Sequence, residues 1–140
     1  MTGPAGTVPR PPDEQDWGAV VDALTRTPGE ILLLAHVAPD ADALGSALGV
    51  ALALRAGGRD VAVSFGDEPF VVPRVLDFLP GQALLRAPGQ VGEPAVAISF
   101  DVSSADRLGV LEPVYGTAGV RIAVDHHASY TGFGDLALVD

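Results

Sequence analysis

His36, Asp40 and Asp42 fall within seven residues, Asp101 stands alone further along, and Asp125, His126 and His127 are consecutive. Each group directly follows a short, largely apolar run: 31–35, 95–100 (interrupted by Ser99) and 120–124 (interrupted by Arg121). Imidazole and carboxylate are the donors that a catalytic pair of divalent ions requires, so the three groups read as a metallohydrolase site, or most of one. In the first group two carboxylates alternate about Ala41, which lets them address two neighbouring metals, and Pro39 stiffens the loop that presents them. Carboxylate with imidazole suits manganese or magnesium better than a metal that prefers soft ligands. Without a metal, Asp42 would be a helix N-cap and Asp40 a turn residue, since aspartate is favoured at both. Asp101 by itself reads as a cap for the helix beginning near Ala105; if the strand ends converge, it is placed to bridge two ions. The third group is the most telling, because adjacent histidines project differently. One can bind metal while the other faces substrate, with Asp125 orienting a ring nitrogen, although a pair of structural histidines remains the alternative. All three histidines of the chain lie in these clusters.

Residues so far apart in sequence meet only if the fold brings their strand ends to one edge, which is what an open parallel sheet does. The elements agree. Residues 13–27 place Trp17, Val20, Val21 and Leu24 at helical spacing before Pro28-Gly29, predicting an amphipathic first helix. Residues 31–35 are continuously apolar, as in a strand buried on both faces. An Ala- and Leu-rich helix over 42–56 follows, ended by Gly57-Gly58, with Gly45 and Gly49 allowing close packing on the sheet. Further strands are predicted at 60–65, weakly at 83–85, then at 95–100, 120–124 and 136–139, with a short helix over 72–78. Ser103 or Ser104 is the expected cap of the helical stretch after Asp101. Strands alternating with helices predict an α/β fold: a mostly parallel sheet of five to six strands with helices on both faces.

The chain has 140 residues, 48% of them apolar, enough for one core of ordinary size. Residues 1–12, rich in proline, read as a disordered leader, and 13–140 as one domain that stops at Asp140 directly after an apolar run, as though truncated at its C-terminus. The absence of cysteine excludes disulfides and thiolate zinc sites, and no apolar run reaches the ~20 residues of a membrane span, so a cytoplasmic protein without a membrane partner is expected. The formal net charge is −10, with arginine as the only cation, which disfavours long duplex nucleic acid. Four of the negative charges belong to Asp40, Asp42, Asp101 and Asp125, and bound cations would cancel them locally, so a small phosphorylated substrate is allowed.

The segments His-Val-Ala-Pro-Asp-Ala-Asp-Ala-Leu-Gly-Ser at 36–46, Ser-Phe-Asp-Val-Ser at 99–103 and Asp-His-His at 125–127 resemble motifs I, II and III of the DHH phosphoesterase superfamily. Within it, Asp-Ala-Leu-Gly-Ser and the 101–109 segment with Arg107 are most similar to the branch of bifunctional oligoribonucleases and 3′-phosphoadenosine 5′-phosphate (pAp) phosphatases, the nanoRNases. The resemblance implies two manganese ions, with magnesium as a substitute. His36, Asp40 and Asp101 would hold one ion and Asp42, Asp101 and His126 the other; His127 would contact the phosphate and Asp125 support the histidines. It further implies hydrolysis of pAp or very short RNA by water activated between the metals, and leaves open a homodimer of the full-length parent. Two family features are not matched. A motif IV aspartate is expected well downstream, and Asp135 and Asp140 qualify by residue type only; the C-terminal DHHA1 domain that grips substrate is absent from this sequence. Rival readings are a phosphodiesterase acting on the linear dinucleotide pApA, a type II inorganic pyrophosphatase, a non-catalytic metal- or nucleotide-binding fragment, and a flavodoxin-like regulatory domain.

Overall fold

A computed structural model of the chain describes residues 14–125 and 134–139. Five parallel strands form one sheet in the order β2-β1-β3-β4-β5, where β1 is Ile31–Ala35, β2 Val61–Phe65, β3 Val96–Phe100, β4 Val120–Asp125 and β5 Leu136–Val139. The sheet explains the composition of the interior strand β1. All five side chains of β1 are buried, because helices cover both faces and no position can be polar.

On one face lie α1 (Glu14–Arg26) and α2 (Ala41–Ala56). Val20 and Leu24 of α1 and Leu44, Ala47 and Leu48 of α2 pack with Ile31, Leu33, Val63, Ile98 and Ile122. The opposite face receives the alternate positions, Leu32, Leu34, Ala62 and Ala97, which pack with Leu108, Leu111 and Tyr115. These last three belong to a 3-10 stretch, Ala105–Leu111, continued by α3 (Glu112–Thr117). Helices thus flank both faces of an α/β sheet.

Several local expectations are corrected. Trp17 and Val21 leave the core and are each 53% exposed, so only half of the apolar stripe of α1 is covered. Helix α2 begins at Ala41, and its N-cap is Asp40 rather than Asp42. Gly45 and Gly49 do not serve close packing: a Cβ on Gly45 would make ordinary contact with the Leu79 side chain, and one on Gly49 would meet nothing within 4 Å. The strand expected at 83–85 is a 3-10 turn, Gln82–Leu84, joined to β2 by a single bridge between Val63 and Leu85. Gly81, at φ +88°, turns the chain there, and the Gln82 side-chain amide donates to the carbonyls of Leu76 and Leu79, tying the segment into a turn. The helix expected over 72–78 shrinks to a 3-10 turn, Arg74–Leu76. Ser104 occupies the expected cap position, but its hydroxyl donates to Asp106 Oδ1 instead of capping the backbone.

Candidate metal centre at the sheet switch point

The chain leaves β1 for β2 on one side of the sheet and later leaves β3 for β4 on the other. Neighbouring strands whose connections diverge in this way open a crevice at their carboxyl ends, the general ligand position in open α/β sheets. Ala35 pairs with Phe100 in the β1–β3 register, so His36 and Asp101 are the first residues past the paired ends of two adjacent strands. Sequence separation is thereby cancelled by topology.

His36 is buried, and its Nδ1 lies 2.7 Å from the carbonyl oxygen of Val37. A carbonyl only accepts, so Nδ1 carries a proton, and in the neutral ring the lone pair is then on Nε2. Nε2 is 3.7 Å from Asp40 Oδ2 and 3.7 Å from Asp101 Oδ2. Those separations exceed a hydrogen bond and suit donors arranged about a shared centre. His36, Asp40 and Asp101 each offer one ligand atom, and the three atoms lie within 4.8 Å of one another, forming a potential metal-binding group. The tautomer, the two carboxylates and the spacing all fit a divalent cation.

Asp40 also caps α2, its Oδ1 accepting from the Ala43 amide at 2.9 Å. That hydrogen bond, aided by the nearby His36, holds the Asp40 carboxyl below the usual carboxylate range. Asp101 has φ +63°, a left-handed conformation that aspartate tolerates better than most residues, while its amide continues the ladder to the Val124 carbonyl at 2.9 Å. The turn aims its carboxylate back over the crevice toward His36.

The other anticipated residues are distributed as follows. Asp42 is exposed in the first turn of α2, outside the three-residue group. Asp125 is buried at the end of β4, one residue past Val124, the partner of Phe100, and so at the same sheet edge. His126 and His127 lie outside the described residues, as does Asp140. Asp135 is at the opposite edge, where it binds Arg121 through two side-chain contacts, Nη2 to Oδ1 at 2.8 Å and Nε to Oδ2 at 3.2 Å, and also accepts the Arg121 amide. That placement separates it from the metal-binding group.

Sequence reasoning missed the supports of this loop. The Val37 amide donates to the Arg107 carbonyl at 2.9 Å, and the Ala38 amide to Asp67 Oδ1 at 2.8 Å. The loops after β2 and β3 also cross closely: Val110 N bonds to Gly66 O, and a Cβ on Gly66 would fall 1.9 Å from the Leu108 carbonyl oxygen. The rule that flagged His36 and Asp101 applies equally to Gly66-Asp67, which directly follow the run 61–65.

A model of the DHH family, N-terminal domain, matches residues 30–137. The chain belongs to the DHH family. It is 35% identical over 136 residues to the bifunctional oligoribonuclease and PAP phosphatase NrnA of Thermus thermophilus, a match covering 96% of this chain and 39% of that protein. Its fold is shared with the crystal structure of an exopolyphosphatase-related protein from Bacteroides fragilis at a TM-score of 0.78 and 22% identity, over 91% of this chain and 39% of that one. This DHH chain therefore spans about two fifths of the length of each of these relatives. Among its described residues no helix is long and apolar enough to cross a membrane.

Proposed function

We propose that the chain is the metal-binding part of a manganese-dependent phosphoesterase that hydrolyses very short RNA, pAp, or both, in the cytoplasm. The observation that carries this reading is the convergence of His36 Nε2, Asp40 Oδ2 and Asp101 Oδ2 at the switch point of the sheet. The likeness to a protein named as an oligoribonuclease and PAP phosphatase supplies the substrate class.

In this proposal His36, Asp40 and Asp101 hold one ion, and Asp42, Asp101 and His126 hold a second. Bound divalent ions would supply water acidified to near neutral pH and neutralisation of charge on the phosphoryl group. The chain's own residues prepare the place for them. The Nδ1–H of His36, spent on Val37, leaves Nε2 as a donor to the ion, and the Ala43 amide, which holds the Asp40 carboxyl below its usual range, favours the charged form of that carboxylate. Asp125 supports the adjoining histidines, and His127 contacts the phosphate. The net charge of −10 repels long polyanions, while a nucleotide or dinucleotide is short enough to meet the metal-neutralised edge alone.

The second reading, a metal-binding fragment without catalysis, is favoured by the 39% coverage of the Thermus relative. One assay separates the two. Release of phosphate from pAp and of mononucleotides from a dinucleotide RNA and from pApA is measured in Mn2+, for this chain and for a version carried through to the length of that relative. Turnover by this chain that vanishes in Asp101→Asn supports the phosphoesterase; Mn2+ binding by this chain with turnover only in the longer form supports the fragment. Turnover of pApA with neither pAp nor RNA cleaved would move the substrate assignment to dinucleotide signalling molecules.

A further inference from the structure

Asp67 stands outside the metal-binding group, yet it grips the loop that carries two of its three members. Ala38 lies midway between His36 and Asp40, and its φ of +50° is a left-handed conformation that a residue with a Cβ rarely adopts. The backbone therefore needs a restraint to remain there, because relaxing Ala38 to a negative φ would redirect the chain between the two ligands. The restraint comes from a neighbouring strand end: Asp67 Oδ1 accepts the Ala38 amide at 2.8 Å. Asp67 is itself fixed on both sides. Gly66 is wedged against the Leu108 carbonyl with no room for a side chain, and Phe70 stacks on the buried Phe65 with ring centroids 4.3 Å apart, closing the loop back on its own strand.

We propose that Asp67 is a positioning residue for metal binding, holding Ala38 in its left-handed conformation so that His36 Nε2 and Asp40 Oδ2 face a common ion. This inference rests on the reading of His36, Asp40 and Asp101 as metal ligands. Asp67 makes no direct claim on the ion; its effect runs through the loop, as with the outer partners that orient metal ligands generally.

The test is Mn2+ titration of the 140-residue chain, followed calorimetrically and by loss of the free-ion electron paramagnetic resonance signal. Asp67→Ala is expected to weaken Mn2+ binding by about 10- to 100-fold, the usual effect of removing an outer partner. Asp67→Ser, whose shorter side chain stops short of the Ala38 amide, should behave alike and guards against a folding defect in the alanine variant. Asp67→Asn, whose Oδ1 still accepts that amide, should bind close to wild type. Circular dichroism of all three without metal should match wild type. Wild-type affinity in both Asp67→Ala and Asp67→Ser would overturn the proposal. So would an Asp67→Asn chain as weak as Asp67→Ala, since the carboxylate charge rather than the hydrogen bond would then matter. A wild-type chain that binds no Mn2+, or a His36→Ala chain that binds it as well as wild type, would retire the metal-site reading itself.

Discussion

Asp40 divides its two carboxylate oxygens between structure and chemistry. Oδ1 accepts from the Ala43 amide and starts α2, while Oδ2 faces His36 Nε2. Replacement by asparagine keeps an equally good N-cap but removes the negative charge, whereas alanine removes both roles. Asp40→Asn is therefore expected to unfold in urea at close to the wild-type midpoint while losing Mn2+ affinity, and Asp40→Ala to lose affinity and about 1 kcal/mol of stability as well. Urea denaturation paired with Mn2+ titration checks both. Equal affinity in wild type and Asp40→Asn would remove Asp40 from the ligand set. His36 divides its ring in the same manner, with Nδ1 committed to Val37 and Nε2 left to the crevice, so one hydrogen bond decides which nitrogen is available.

The elements meet at two contrasting places. At the carboxyl ends, the loops after β2 and β3 cross so closely that neither Gly66 nor Gly109 has space for a side chain, and Gly109 additionally holds φ +58° with ψ −133°, open to glycine alone. Gly66→Ala should destabilise the chain by about 1–3 kcal/mol, the usual range for forced overpacking, and should show as a lower urea midpoint. At the amino ends, Arg121 of β4 holds Asp135 just before β5 and keeps the Asp135 carboxyl below its usual range. A depressed folded value means that the contact stabilises the fold above the unfolded aspartate value of about 3.9 and is lost as pH falls through the lower folded value. The stability gap between wild type and Asp135→Ala should thus be present at pH 7 and close during acid titration below about pH 4, measured by urea unfolding at each pH. The strands forming these edges were legible in the sequence because double-sided burial leaves apolar runs, continuous in 31–35 and broken only by the buried Ser99 in 96–100. The segment 83–85 was misread since three apolar residues carry no information on whether a side chain such as Gln82 will tie them into a turn. The place of Asp67 just past a strand end was open to the same rule that marks His36 and Asp101, but its role was not, because that depends on the backbone angle of Ala38, a conformation no composition rule foretells.

At the scale of the molecule, a chain of net charge −10 brings the carboxylates of Asp40 and Asp101 together beside His36 at one edge, where a bound cation would offset their mutual repulsion. The switch point was readable in outline, since strands alternating with helices require one somewhere. Its position between β1 and β3 was not, because strand order depends on which crossovers pack best. A cation bound only by the folded state must raise stability, by about 2.7 kcal/mol when present at a hundred times its dissociation constant. Thermal melts should therefore shift upward with Mn2+, return on addition of a chelator, and fail to shift in His36→Ala. The most direct measurement is Mn2+ anomalous diffraction from crystals of the chain. An anomalous peak is expected at the carboxyl ends of β1 and β3, within about 2.0–2.6 Å of His36 Nε2 and of a carboxylate oxygen from each of Asp40 and Asp101, the range for metal–ligand bonds. A map with no peak there, or with manganese only at surface carboxylates away from His36, would contradict the metal-site reading.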